Sequence, residues 1–532
     1  MSRTDVFRPV LQAAAAPGRL FVPVFCLLLL AAAAPVFTDE IPPLADYVNH
    51  LARMRVIAGI GNDPALARLY EIDWAIIPNL VMDLLVPPLL RITDIYTAGQ
   101  LFVFATLALL ATGPLAVHRA LYGRLSPWPL VVFPFLYNGI FLFGFMNYLF
   151  GVGVATWALA GWIACRERSP LLRGTLSALA VLALFACHLF AVGLYGLALL
   201  SVEGWLLSRS WPGIRTPAGR RRIITDALAF GLPFLPVIPL MLASPTLGLS
   251  TENIWESSGK LDGLLFIIQG YWDTFDLTVA GLVAAGVIWA IRRNLLSLHP
   301  MGLVFLVLGT AVFMAMPRML FGSWVADTRL PVALLFLIIG FIRFDADDRA
   351  VRTAFYAFLV GVALVRFVDV QVNWQALRHV NTDMQESMHL IDPGSSVLVA
   401  HADQPVGNEM TNQALSHAPC IAMIERSALV STAFSVPGKQ ILSIRPEYRD
   451  LVDDSDGDPP TVSQLLASAD ESVPGQPHYW DTWPTRYDYL YVLFTEGNSP
   501  NPDPAHLTLL HQGPQFQLFK VHPDLSDLPE SE

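Results

Sequence analysis

Apolar positions run in long, almost unbroken stretches through most of this chain and then give way to a different pattern. The stretches fall at 19–37, 97–117, 128–143, 147–165, 174–189, 190–207, 224–246, 277–291, 300–317, 330–343 and 352–369. A helix needs about 20 residues to cross a hydrocarbon core of about 30 Å, so the pattern predicts a polytopic α-helical membrane protein of about eleven transmembrane helices. From Val370 to Glu532 short apolar strands alternate with polar turns. SSVLVAHAD, IAMIERSALV, KQILSIRP, YDYLYVLFT and FQLFKVH are rich in β-branched and aromatic residues, the composition of strands. Asn381 to Leu390 reads as helix, and Asp392, Pro393 and Gly394 as the turn into the first strand. Asp450 to Pro477, rich in Asp, Ser and Pro, reads as a mobile loop. The expected organisation is a transmembrane domain over 1–369 and a C-terminal α/β soluble domain over 370–532.

The basic residues set the sides. Arg166, Arg168 and Arg173 precede the 174–207 stretch, and Arg209, Arg215 and Arg220 to Arg222 follow it. Basic loops mark the cytoplasmic face. Both ends are therefore inside, and the stretch must cross twice with a break near His188. The remaining loops then fall into register. Arg3, Arg8, Arg19, Arg119, Arg124, Arg292, Arg293, Arg343, Arg349 and Arg352 are inside, while acids such as Asp39, Glu40, Glu252, Glu256, Asp273 and Asp276 are outside. The N-terminus is expected in the cytoplasm and the tail domain on the periplasmic, extracytoplasmic side of a bacterial inner membrane. The first apolar run, with small residues at Ala31 to Ala34, has some likeness to a cleaved signal, but it reads as an anchor ahead of so many later spans.

Composition agrees with the pattern. Hydrophobic residues make up 54% of the chain and charged residues 14%, against roughly 25% charged in soluble domains. The net charge of −11 argues against nucleic acid, which calls for a basic face. The four cysteines offer neither a disulfide framework nor zinc spacing.

The polar chemistry gathers in outer loops. The first, 38–96, is far longer than a connector needs, and loops beyond about 12–15 residues are usually functional or disordered. It opens with FTDEIPP, which puts Asp39 and Glu40 at the lip of the first span. Ionisable groups near membrane depth are candidates for function, although these two read equally well as solvated loop acids. Asp46 to Ala58 has helical periodicity, with Tyr47, Leu51, Met54 and Ala58 on one face and Asp46, Asn49, His50 and Arg53 converging on the other. That second face is either solvated or substrate-binding. A further amphipathic stretch, Pro78 to Arg91, is expected to lie in the membrane interface. In PRMLFGSWVADTRLP, Asp327 and Arg329 stand at the start of a span. A guanidinium there could pair bidentately with a phosphate headgroup, or simply mark a span boundary. His188 could reach the same surface from its break, or be structural.

An acidic pair after the first span, a long outer loop with amphipathic helices, many spans and an outer tail domain together resemble the GT-C superfamily of integral-membrane glycosyltransferases. TDEIPPLADYVNHLARM is similar to an acidic-to-NHLAR stretch of uncharacterised bacterial relatives, and FGFMNYLFGVGVATWALA and LALFACHLFA resemble spans of that group. The resemblance implies a polyprenyl-phosphate-linked sugar as donor and an extracytoplasmic glycan, lipid or protein as acceptor. It also implies inversion at the anomeric carbon, with Asp39, beside Glu40, as general base. Arg53 and Arg329 would stand nearest the phosphate, with Asp46, His50, His188 and Asp327 as further substrate-binding residues. Some members use a divalent ion. Asp273 and Asp276 form no cluster that maps onto a metal site, so no cofactor is certain and a divalent metal remains possible.

A transporter or flippase for a lipid-linked glycan is the alternative. Transporters tend toward paired repeats and broken helices at the bilayer midplane, whereas here the polar clusters sit in loops and no repeat is evident. A non-catalytic assembly or sensor protein is a third reading, supported only by the tail.

Overall fold

The computed structural model describes residues 21–251, 253–257, 259–346, 348–455, 457–469 and 477–523. Arg3, Arg8, Arg19, Glu252 and part of the Asp450 to Pro477 stretch lie outside them. Among the described residues, eight helices are long and apolar enough to cross a membrane: Phe21–Thr38, Ile95–Tyr122, Met146–Ala164, Pro170–Cys187, Leu189–Arg215, Pro217–Leu242, Asp273–Arg292 and Arg349–Leu390. Pro300–Ala315 is a shorter apolar helix, and Ala326–Gly340 is buried along most of its length. The protein is a multi-pass membrane protein with a strand-containing tail.

Two breaks in the apolar stretches shape the membrane domain. The long 174–207 stretch does break at His188, whose backbone is extended (φ −171°) and whose Nδ1 accepts from Phe190 N–H at 3.1 Å. His188 thus caps the second helix through its ring. The 128–143 stretch differs from expectation. It forms a 3-10 segment, Trp128–Phe135, then the short helix Gly139–Leu142, rather than one continuous helix. Pro127, Pro129 and Pro134 supply no N–H and crowd the preceding turn, and Asn138 starts the new helix by accepting from Phe141 N–H at 3.1 Å.

The helix Arg349–Ser387 is 39 residues long. At 1.5 Å per residue it spans about 58 Å, roughly twice the hydrocarbon thickness. It runs through position 369 without a break, and its buried stripe (Phe355, Leu359, Phe367, Trp374, Leu377, Met384) continues into the tail.

The tail is built on a five-stranded sheet in the order Leu429–Val430, Ser396–His401, Tyr489–Leu493, Phe516–Val521, Leu507–Gln512. The first three strands are parallel and the last two pair antiparallel, with Val399 opposite Tyr491 and Tyr491 in turn opposite Leu518. Strand alternation divides the sheet between two cores. Val397, Val399 and Tyr491 join the large core shared with the membrane helices, while Leu398, Ala400 and Leu490 pack with Trp483 and Leu465 on the far side. The 38–96 loop is part of this body. Its strand Tyr70–Ile72 pairs antiparallel with Leu442–Ile444 of the tail, and its helix Tyr47–Gly59 packs against Ile421–Glu425.

Candidate active site

Where the tail meets the membrane helices, the chain encloses a cavity of about 1610 Å³. Three walls matter: the start of the Tyr47–Gly59 helix, the His188 break with residues 318–329, and a tail face that includes His401, His417, Phe434 and Trp480.

Asp46 holds its place at the first wall through backbone pairing. Ala45 N–H donates to Leu142 O (3.0 Å) and Asp46 N–H to Phe143 O (3.2 Å). The turn after Phe143 needs Gly144, which has φ +80°. A Cβ there would lie 2.8 Å from Asp46 N and 3.3 Å from its Cα. The break in the 128–143 stretch therefore produces the ledge that carries Asp46. Its half-buried carboxylate faces the cavity, with His417 Nε2 at 3.8 Å.

The second wall is cationic. Arg329 is buried, stacks over Phe145 at 3.9 Å and donates through Nη2 to Trp324 O at 2.9 Å. Its Nε has no hydrogen-bond partner. Its Nη1 lies 3.3 Å from His188 Nε2. Burial, and then the Arg329 charge, push His188 down to about 3, so the ring is neutral at pH 7. Because His188 Nδ1 accepts from Phe190, the ring proton sits on Nε2. Arg329 Nη1 and His188 Nε2 are then two N–H groups side by side on one cavity wall, a setting that suits an anionic oxygen. Arg318 adds a third donor at this wall; its Nε and Nη1 lack hydrogen-bond partners.

The expected residues divide. Asp46, His50, His188 and Arg329 line the cavity together. Asp39, Glu40, Arg53 and Asp327 are not among its lining residues. Asp39 is 1% exposed, its carboxylate oxygens have no hydrogen-bond partner, and Arg378 Nε is 3.8 Å away. Burial raises its pKa despite that arginine. Glu40 is exposed. Arg53 is locked to Asp83 by two bonds, Nε to Oδ1 at 2.7 Å and Nη2 to Oδ2 at 3.1 Å, with both side chains 1% exposed. Asp327 is fully buried and holds two cations, Lys260 Nζ at 3.1 Å and Arg318 Nη1 at 3.6 Å. Its contact with the cavity runs through Arg318.

The helix face expected to be either solvated or substrate-binding is neither along its whole length. The tail covers it, and Asn49, His50 and Arg53 are all buried. His50 is neutral, held well below its ordinary pKa by burial, then by Arg53 and His417.

Arg318 and His417 carry no signal in the sequence. Nothing local marks either one. Arg318 sits in a short loop, and His417 reaches the site from a domain 368 positions beyond Asn49, its hydrogen-bond partner. Among the described residues, no group of three or more His, Cys, Asp or Glu side chains is arranged to hold a metal ion.

No protein-family model and no curated protein matches the chain. Over 96% of its length it is similar to the crystal structure of ArnT from Cupriavidus metallidurans bound to undecaprenyl phosphate, with 11% identity, 99% of that chain covered and a TM-score of 0.48.

Proposed function

We propose that the protein is a membrane glycosyltransferase. It moves a sugar from a polyprenyl-phosphate carrier to an acceptor hydroxyl on the extracytoplasmic side of a bacterial inner membrane. One observation carries the reading: a single cavity at the junction of membrane helices and tail holds a carboxylate, Asp46, together with the adjacent Arg329 and His188.

Each group has a task in such a reaction. A hydroxyl is a poor nucleophile until a carboxylate takes its proton, which is worth typically 10²–10⁴-fold. Asp46, on the cavity wall, takes this role in our reading ahead of Asp39, which is not among the lining residues. The acceptor oxygen bonds to the anomeric carbon from the face opposite the phosphate, and the hydroxyl proton passes to Asp46. The bond from the anomeric carbon to the phosphate oxygen breaks, and its electron pair leaves with the lipid phosphate. Negative charge grows on that phosphate as the bond lengthens. Arg329 and His188 meet it with N–H groups already in place, so little reorganisation is needed. Arg318, steadied by Asp327 and Asp262, adds positive charge at the same wall. The tail contributes Asn412, Gln413, Gln464 and Trp480, amide and aromatic groups suited to a hydroxyl-rich acceptor.

The test is release of polyprenyl phosphate by the full-length protein in lipid bilayers, supplied with polyprenyl-phosphate glucose or mannose and candidate glycans. Asp46→Asn is expected to lower turnover by about 10²–10⁴-fold with an unchanged melting temperature. Undiminished turnover would remove Asp46 from the chemistry. Lipid movement across the bilayer without release from any donor would point to translocation instead.

A further inference from the structure

Asp46 has a neighbour from the other domain. His417 belongs to the tail, yet its ring sits against the first-loop helix, between Asp46 and Asn49 and edge-on to Phe434 (4.7 Å). The state of that ring is set by the hydrogen bonds of Asn49. Asn49 Oδ1 accepts from Phe434 N–H at 2.9 Å, and Nδ2 donates to Thr432 O at 2.7 Å. Rotating the amide by half a turn would break both bonds, so its orientation is set. The second hydrogen of Nδ2 remains, and His417 Nδ1 lies 3.3 Å away. With an amide donor on one side, Nδ1 must be the acceptor. A neutral ring then carries its proton on Nε2, the nitrogen that faces Asp46.

We propose that His417 is the positioning residue of Asp46: the tail domain presents an imidazole N–H, its tautomer fixed by Asn49, that orients the carboxylate in the cavity. This rests on the reading of Asp46 as the base. At 3.8 Å the contact is longer than a hydrogen bond. Catalytic hydrogen bonds are often long before substrate binds and tighten in the complex. Neutrality matters too. Burial, and then His401, push His417 down to about 4. A neutral N–H orients a carboxylate without cancelling its charge, whereas an imidazolium would pair with it and sap its basicity. Among the described residues, the ionisable groups that act on this pair include His50 on the Tyr47–Gly59 helix, His401 on the central tail strand and Arg329, on which the Asp46 charge acts. Both histidines are held neutral by burial.

The tail thereby gains a role. Without it Asp46 would lose the His417 N–H, so the two domains would form one active site.

The test uses full-length protein in bilayers and whichever polyprenyl-phosphate hexose the wild type turns over. His417→Ala is expected to lower kcat by about ten- to a hundredfold, the worth of one hydrogen bond to a charged group, with the donor KM unchanged. The acid limb of the pH–rate profile moves to higher pH, because the charged carboxylate has lost a donor. His417→Gln, which carries an amide N–H of similar reach, restores most of the rate. A histidine that only packs the domain interface would change the melting temperature and leave the acid limb in place. Should the alanine variant fail to fold, Asn49→Asp gives the answer with the imidazole retained. An acceptor at that position draws the ring proton to Nδ1 and turns a lone pair toward Asp46, so the same loss is expected. Wild-type kcat and acid limb in His417→Ala, or in Asn49→Asp, overturn the inference and leave the Asp46 reading standing. Full turnover in Asp46→Asn, or none in the wild type with any donor, overturns both.

Discussion

Arg53 and Arg329 are both buried arginines at the junction of membrane helices and tail, and they differ in what satisfies their guanidinium groups. Arg53 meets Asp83 with two parallel bonds in a site closed to the cavity. The charge is answered by a carboxylate there, although Nη1 has no hydrogen-bond partner, and the pair ties the Tyr47–Gly59 helix to the Val81–Leu89 helix. Arg329 has an aromatic ring beneath it, one carbonyl, and a neutral imidazole that offers a donor rather than an acceptor. Its charge is confined and incompletely answered, on a cavity wall. A buried cation paired with a carboxylate is a brace; one held by a carbonyl and rings on a cavity wall is suited to an anionic ligand. Burial alone does not distinguish the two.

Substitutions at each position should separate these roles. The largest effect is expected at the brace. Arg53→Ala leaves Asp83 as an unpaired buried charge, a change that costs about 3–5 kcal/mol, read as a lower melting temperature and loss of folded protein. Arg53→Met with Asp83→Leu should recover most of that stability, since apolar pairs often replace buried ion pairs at little cost. If the double variant folds but loses donor binding, Arg53 is more than a brace. Arg329→Lys should do the reverse. A lysine is a point charge without the planar fork, so donor turnover should fall by about ten- to a hundredfold while the melting temperature stays near wild type. Equal losses of stability at both arginines would erase the contrast.

Gly144→Ala probes the ledge between them. Its φ of +80° and the close approach of Asp46 N both oppose a Cβ. Strain of about 1–3 kcal/mol is expected, with turnover falling further than stability because Asp46 is displaced directly. The smallest effect belongs to Asp39. Burial raises its folded pKa, so the unfolded state ionises first as pH rises. The stability tied to its proton is whole below the ordinary carboxylate pKa and is lost as pH climbs through the raised value. Asp39→Asn removes that loss. Its melting temperature should exceed wild type at pH 7 and converge with it in acid, and turnover should stay within a factor of about ten. A collapse of turnover would restore Asp39 to the chemistry.

Much of the fold could be read from neighbours along the chain. Most of the apolar runs, the break at His188 and the Tyr47–Gly59 helix each depend on local pattern and are present, while the proline-rich 128–143 run is not one helix. The tail strands were partly legible. IAMIERSALV holds a helix, Ile421–Glu425, before a two-residue strand, because an apolar run of that length suits a buried helix as well as a strand. Leu507–Gln512 went unmarked: it is an edge strand with exposed residues, which weakens the alternation. KQILSIRP pairs with the first loop rather than the central sheet, a long-range choice.

The order of residues was enough to establish the class of protein, since membrane spans are contiguous and their hydrophobicity is additive. It also supplied the inventory of polar groups beside the bilayer. Which carboxylate faces the cavity, which arginine is already paired, and that His417 meets Asp46 were settled only by the packed chain. Those properties depend on burial and on partners contributed from distant segments, and a side chain's neighbours in space leave no mark on its neighbours in the chain.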